Sequence, residues 1–299
     1  METIIYISNT NIEVLSGERK RDAVSVSSYQ HIPVATGSII NGVITDDTSI
    51  RQQLLVLKGN GLNECALIID STKILAKQIV IPKLKHDQIL NYIKGELSQL
   101  YDGDDEVIYD YSYLGESETV KGATQIFAVG IEKSFIKSYI DLFEEVGIKL
   151  NSIDYAIDVL LRLKDYIPGL IDKSFAITNV DGNNLTSCVF NNGNYVLTSR
   201  NRILANDEET EVFTEQVTSA ISALKQFASG AENATPFTDV YFTGLTRVKG
   251  EALFKSIQSQ LNLKAELLPQ MKNVYATKKT AEPLDLNSYL YTLGFLIGE

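Results

Sequence analysis

Short β-prone runs stand near the start of the chain, Ile4-Ile5-Tyr6-Ile7, Ile12-Glu13-Val14-Leu15 and Ala23-Val24-Ser25-Val26. β-branched residues dominate these runs, and breaks fall at Ser8-Asn9-Thr10-Asn11 and at Ser16-Gly17, so the pattern predicts a β meander. The same plan returns in residues 176–180, 185–190 and 195–198, with turns at Asp181-Gly182-Asn183-Asn184 and Asn191-Asn192-Gly193. The first turns of the two meanders align without gaps at one offset (181 − 8 = 173), which pairs Asn11 with Asn184 and Ile12 with Leu185. Each meander is followed by mixed strands and long amphipathic helices, an order that predicts two related α/β lobes.

Between the meanders lies a compact α/β insert with helical periodicity. Residues 73–82 read as a strand, and 85–101 as a helix with Ile89, Leu90, Ile93, Leu97 and Leu100 on one face. Residues 107–114 and 125–131 read as strands, with polar loops at 102–106 and 115–122. A helix over 132–146 buries Phe135, Ile136, Tyr139, Ile140 and Phe143 and stops at Gly147. After the second meander, 207–229 predicts a long helix with an acidic start, Asp207-Glu208-Glu209, and a stripe of Val217, Ile221, Leu224 and Ala228. A strand over 239–243, a helix over 251–261 and an apolar helix over 288–297 docked into the second lobe complete the pattern, with 272–283 as a polar, mobile loop. The division is a first lobe, 1–165, carrying an α/β insert at about 73–153, and a second lobe, 174–299.

A net charge of −11 disfavours nucleic acid as a partner, because gripping phosphates needs a basic face. The basic triplet Arg19-Lys20-Arg21 fits a solvated hairpin tip. Cys65 and Cys188 each sit in β-rich apolar runs and read as buried free thiols, too few for a secreted disulfide framework. No apolar stretch approaches the roughly 20 residues of a membrane helix, and the N-terminus lacks the basic and apolar regions of a signal peptide. The expectation is a cytoplasmic protein that reaches the membrane only through a partner. His31 and His86 lie at no metal-ligand spacing and read as surface residues, and no metal site is expected. The acidic run Asp102-Gly103-Asp104-Asp105-Glu106 lacks the spacing of a calcium loop.

Several segments, in order along nearly the whole chain, resemble the PilM family of type IV pilus assembly proteins, within the actin-like superfamily. They are Gly42-Val43-Ile44-Thr45-Asp46 before a helix, and Ile79-Val80-Ile81-Pro82 before a helix carrying Glu96-Leu97. The run from Ala128-Val129-Gly130-Ile131 through Phe143, Gly147 and Asp154, and Val240-Tyr241-Phe242-Thr243-Gly244 before a helix, are similar to further family segments. The resemblance implies an actin-like ATPase (ribonuclease H-like) α/β fold. The divisome protein FtsA and the cytoplasmic domain of the secretion protein GspL are its near relatives.

In that superfamily two hairpin turns grip the phosphates of ATP with backbone N–H groups. Laid on the family's first turn, Tyr6 takes the place of a metal-binding aspartate, Ser8 of a glycine and Glu13 of a lysine. In the second, Asn179 falls at an aspartate and Asp181 at a glycine, with Gly182 one residue on; the adenosine turn is Gly244-Leu245. If nucleotide binds, the resemblance assigns it to Ser8, Asn9, Thr10, Asn11, Asp181, Gly182, Asn183 and Gly244. Phosphoryl transfer is mostly positioning plus charge neutralisation, so the expectation is no catalytic residue, no required cofactor and little or no ATP hydrolysis, with weak binding of ATP and magnesium left open.

The resemblance implies a scaffold at the inner face of the cell membrane, serving pilus assembly and twitching motility. It would capture the short N-terminal tail of a PilN-like membrane protein and contact the pilus assembly ATPase. The alternatives are an ATP-binding switch or filament-former like FtsA, an atypical sugar kinase with Asp181 as base, or a GspL-like secretion component.

Overall fold

A computed structural model of the chain describes residues 1–21, 23–101, 105–117, 120–204, 210–230, 236–271, 273–277, 284–285 and 287–298. Two compact units are present: the first holds Met1–Pro33, Ala66–Ile68 and Asp154–Glu299, the second Val34–Cys65 and Ile69–Ile153.

The first meander is β1 (Glu2–Ile7), β2 (Asn11–Lys20) and β3 (Ala23–Pro33), antiparallel throughout, with Tyr6 opposite Glu13 and Leu15 opposite Tyr29. Ser16-Gly17, expected to separate strands, instead lies inside β2, where the pairing with β3 slips by a bulge. The bulge needs glycine, since a Cβ at Gly17 would lie 2.8 Å from Ser25 O and 2.7 Å from Leu296 Cδ2. The chain reverses later, at Arg21, whose φ of 57° is left-handed. That places the basic triplet at a hairpin tip, as its charge predicts.

In the second unit follow β4 (Ile39–Ile40) and β5 (Val43–Ile44), a short hairpin, then α1 (Thr48–Gly59). β6 (Glu64–Ile69) lends Ala66–Ile68 to the first unit, where Ile5 pairs in parallel with Leu67. β7 (Ile74–Ile81), α2 (His86–Leu97), β8 (Val107–Glu116) and β9 (Thr124–Glu132) form the insert, a sheet in the order β7-β9-β8. Ile89, Ile93 and Leu97 of α2 pack on Ile79, Ile81, Ile126 and Ala128. Leu100, expected on that face, falls in a 3-10 turn beyond α2 and is exposed. α3 (Lys133–Val146) buries Phe135, Tyr139 and Phe143 and ends at Gly147, whose φ of 80° suits only glycine well. Asp105 of the acidic run caps this helix, its carboxylate accepting from Ser134 N at 3.0 Å; residues 102–104 lie outside the described residues.

β10 (Lys149–Tyr155) and α4 (Ala156–Leu163) lead back to the first unit and the second meander, β11 (Phe175–Asp181), β12 (Asn184–Asn191) and β13 (Asn194–Arg202). α5 (Thr210–Ser229) carries the expected stripe, while its acidic start at 207–209 lies outside the described residues. β14 (Asp239–Thr243), α6 (Arg247–Leu261) and β15 (Lys264–Leu267) complete a sheet ordered β13-β12-β11-β14-β15. Val217 and Ile221 of α5 meet Leu253 and Ile257 of α6 over Ala176 and Val240. Helix α6 starts at Arg247 rather than 251, because Thr246 Oγ1 accepts from Lys249 N at 3.3 Å and caps it.

Two expectations for the C-terminal stretch are corrected. Within 272–283, β16 (Val274–Ala276) is a strand that pairs in parallel with Val24–Val26 of β3; residues 272 and 278–283 lie outside the described residues. α7 (Leu290–Gly298) packs on α4 and on β1 and β2 of the first meander, not into the second lobe. Leu290 to Ile297 are all buried, so the helix must be covered on every side. At Gly294 a Cβ would lie 2.9 Å from Val159 Cγ1, so glycine lets α4 approach closely. Cys65 and Cys188 are both buried and form no disulfide, and burial pushes the Cys65 thiol up to about 12.

Candidate functional site at two facing hairpin turns

Strand register builds both turns, which lie in the first unit. Ile7 faces Ile12, so Ser8, Asn9 and Thr10 form a tip closed by Ser8 N donating to Asn11 O at 2.9 Å. Ser8 Oγ points into this tip and accepts from Thr10 N at 3.2 Å and Asn11 N at 3.0 Å. In the second meander Asp181 faces Asn184, leaving Gly182 and Asn183 at the tip. Gly182 has φ 56°, and a Cβ there would lie 2.8 Å from Thr10 Cγ2. The two tips are therefore in contact.

Asp181 makes that contact. Its Oδ1 accepts from Ser8 Oγ at 3.0 Å and Thr10 Oγ1 at 2.7 Å, and its Oδ2 accepts from Asn9 N at 2.8 Å and Asn9 Nδ2 at 2.7 Å. Hydrogen bonds to a charged acceptor contribute about 1.5–3 kcal/mol each. The sequence places Asp181 at a glycine's position in its own turn, but its side chain crosses to the opposite one.

Gly244 forms the third corner. Its φ is 74°, a Cβ would stand 2.0 Å from Val180 O, and its N–H donates to Asn287 O at 3.1 Å. Thr243 Oγ1 donates to Asn179 Oδ1 at 2.9 Å, tying β14 to β11. Ser8, Thr10, Asn11, Asp181, Gly182, Asn183 and Gly244 all line one cavity of about 1240 Å³. Its other walls went unseen in the sequence: Tyr6 tilts against Tyr291 with centroids 4.7 Å apart, and His31 stacks on Tyr289 at 4.2 Å. His31 is thus a half-buried wall residue, whose Nε2 lies 2.9 Å from Ser288 O, rather than a surface one. His86 is exposed at the start of α2.

Glu13 also lines the cavity. Its Oε2 is shut off from solvent without a hydrogen-bond partner. Burial pushes its carboxyl well above the ordinary carboxylate range, the negative charge of Asp181 adds to this, and a hydrogen bond with Thr292 partly opposes it.

This donor set does not fit a magnesium–triphosphate. The turn's side-chain donors and Asn9 N are spent on Asp181, and Ser8 Oγ takes Thr10 N and Asn11 N. Tyr6, which the family resemblance aligns with a metal-binding aspartate, offers only a ring packed on Tyr291. Glu13 adds a buried carboxyl near Asp181 and no cation to neutralise phosphate. Among the described residues, no group of three His, Cys, Asp or Glu side chains converges to hold a metal ion.

The family model described as type IV pilus assembly protein PilM matches residues 5–216. The chain belongs to the PilM family. Among solved structures, a PilM-PilN type IV pilus biogenesis complex matches with a TM-score of 0.78 at 11% identity, over 99% of this chain and 96% of the other. The cytoplasmic domain of EpsL, an inner-membrane component of the type II secretion system of Vibrio cholerae, matches at 0.51 and 12%, over 98% and 94%. A Bacteroides thetaiotaomicron protein with an actin-like ATPase fold matches at 0.50 and 12%, over 90% and 92%. No curated protein matches the chain in sequence. The fold is the actin-like ATPase fold, which the order of segments in the sequence implied.

Proposed function

We propose that this PilM-family chain is a scaffold on the cytoplasmic face of a type IV pilus assembly machine, and that it does not turn over ATP. The observation that carries the proposal is the carboxylate of Asp181, bound by four donors in the turn where this fold would grip phosphate. A cleft so filled lacks the charge neutralisation that phosphoryl transfer needs. Its remaining use is to hold the two hairpins together, and partner capture falls to another part of the chain.

In this proposal the partner is the short N-terminal tail of a PilN-like membrane protein, supported by family membership and by the likeness to a PilM-PilN complex. The insert offers a suitable place. β7 and β8 are the edge strands of its sheet, and an extended peptide can add to such an edge through main-chain hydrogen bonds. A net charge of −11 suits a basic juxtamembrane tail and speeds its capture. No helix among the described residues is long and apolar enough to cross a membrane. Membrane association would then run through the tail's owner, and contact with the assembly ATPase belongs to the same proposal.

The test is fluorescence anisotropy of a labelled synthetic tail peptide, with phosphate release from Mg-ATP measured on the same preparation. Saturable, salt-sensitive peptide binding without phosphate release is expected. Absence of peptide binding, ATP turnover, or filaments that sediment with ATP would each reject the proposal.

A further inference from the structure

We infer that Asp181 is a built-in anion occupying the phosphate-gripping turn of this fold, so that it pins the two hairpins together and bars oligophosphates from the cleft. The inference rests on the proposal of a non-catalytic cleft and names the group responsible.

Three observations converge on it. First, the two oxygens of one carboxylate collect a backbone N–H, an amide N–H and two hydroxyls, the donor types that cradle a phosphate. The full set is used from a single side chain on the opposite hairpin. Secondly, the next two backbone donors, Thr10 N and Asn11 N, are turned onto Ser8 Oγ, a group that the family's glycine would lack. Ser8 thus plugs the centre of the turn while Asp181 caps its mouth. Thirdly, Gly182 lies so close to Thr10 that the hairpins touch with no room for a phosphate between their tips.

The electrostatics act in the same direction. An entering oligophosphate would meet the negative charge of Asp181, which is felt as far as Glu13 and helps to keep that buried carboxyl protonated. Like charges at such range in a partly enclosed cleft repel strongly. To bind, the ligand would have to expel Asp181 and leave that carboxylate without its donors.

The experiment compares the full chain with its Asp181→Gly and Asp181→Ser variants, and with the double variant Ser8→Gly/Asp181→Gly. Thermal melts are followed by circular dichroism, with sodium tripolyphosphate titrated at constant ionic strength. The original chain should melt at one temperature regardless of tripolyphosphate. Asp181→Gly should melt lower and recover as tripolyphosphate is added, with an apparent affinity about tenfold or more above that of the original chain. The double variant should bind more tightly still. If Asp181→Gly does not fold, Asp181→Ser, which keeps a small hydrogen-bonding group, carries the comparison. A melting temperature of the original chain that rises with tripolyphosphate as much as the variant's would overturn the inference. So would a folded variant that ignores the ligand. Tail-peptide capture should be equal in the original chain and Asp181→Gly, so a failed peptide assay rejects the scaffold proposal alone and a failed tripolyphosphate assay rejects only the internal anion.

Discussion

Ser8 and Asp181 stand at matching places in two copies of one hairpin, 173 residues apart, and a 3.0 Å hydrogen bond joins them. The repeat that gives the molecule its pair of meanders has therefore become a contact between equivalent positions. A hydroxyl in one copy faces a carboxylate in the other.

Ser8 is both acceptor and donor in that contact. Ser8→Ala removes the acceptor of Thr10 N and Asn11 N and one donor to Asp181. Loss of about 1–3 kcal/mol of stability is expected. Chemical denaturation checks it, and a midpoint equal to that of the original chain would show the turn to be held by something else.

Two glycines should respond in opposite directions to alanine. At Gly244 a Cβ would stand 2.0 Å from Val180 O on a backbone with φ 74°, so Gly244→Ala should cost about 2 kcal/mol or more. At Gly95, on an open face of α2, a Cβ would meet nothing within 4 Å, and Gly95→Ala should add about 0.5–1 kcal/mol. Paired denaturation curves test both.

Glu13 should leave a signature in the pH dependence of stability. Its carboxyl holds a proton to higher pH in the folded chain than its ordinary value of 4.5 allows, chiefly through burial and then through the charge of Asp181. Over the window above 4.5 the folded state binds more protons than the unfolded one, so stability falls as pH rises through it. Glu13→Gln lacks this slope. It should exceed the original chain in stability at neutral pH and lose that advantage in acid below the ordinary value. A stability difference that does not change with pH would assign Glu13 no buried charge.

Arg162 bridges Asp154 and Asp158, the latter at 3.3 Å from Nε, and sits over the ring of Phe295 at 5.9 Å. Burial pushes the Asp154 carboxyl above its usual range, the Arg162 charge opposing this. Arg162→Leu should cost about 2–3 kcal/mol, less than the ~3–5 kcal/mol of a fully buried pair, because the side chain keeps 29% exposure. Double replacement with Asp154→Asn should recover part of the loss, as measured in a thermodynamic cycle.

The meanders, the helices of the insert and the order of segments were legible because each rests on a local period. Short β-prone apolar runs that end at turn residues mark β1 and β11, and the apolar stripe marks α5. Ser16-Gly17 misled because glycine inside a strand signals a bulge as readily as a turn. β16 carries no strand signature of its own, since its three residues become a strand only by pairing with Val24–Val26 far back in the chain. The site was half legible. Both turns stood in the sequence, but the crossing of Asp181 and the ring stack of His31 on Tyr289 are long-range contacts that no local spacing encodes. The capping threonine of α6 is a local signal that apolar periodicity does not carry.

The way α7 seats against β1 and β2 has a consequence for biosynthesis. Strands β1 and β2 acquire their cover from a helix translated hundreds of residues after them, so Ile5 and Ile12 must wait, exposed or chaperoned, while the intervening chain is made. The second unit, whose partners are near neighbours in sequence, can settle in the meantime, and pulse-labelled nascent chains should become protease-resistant there first.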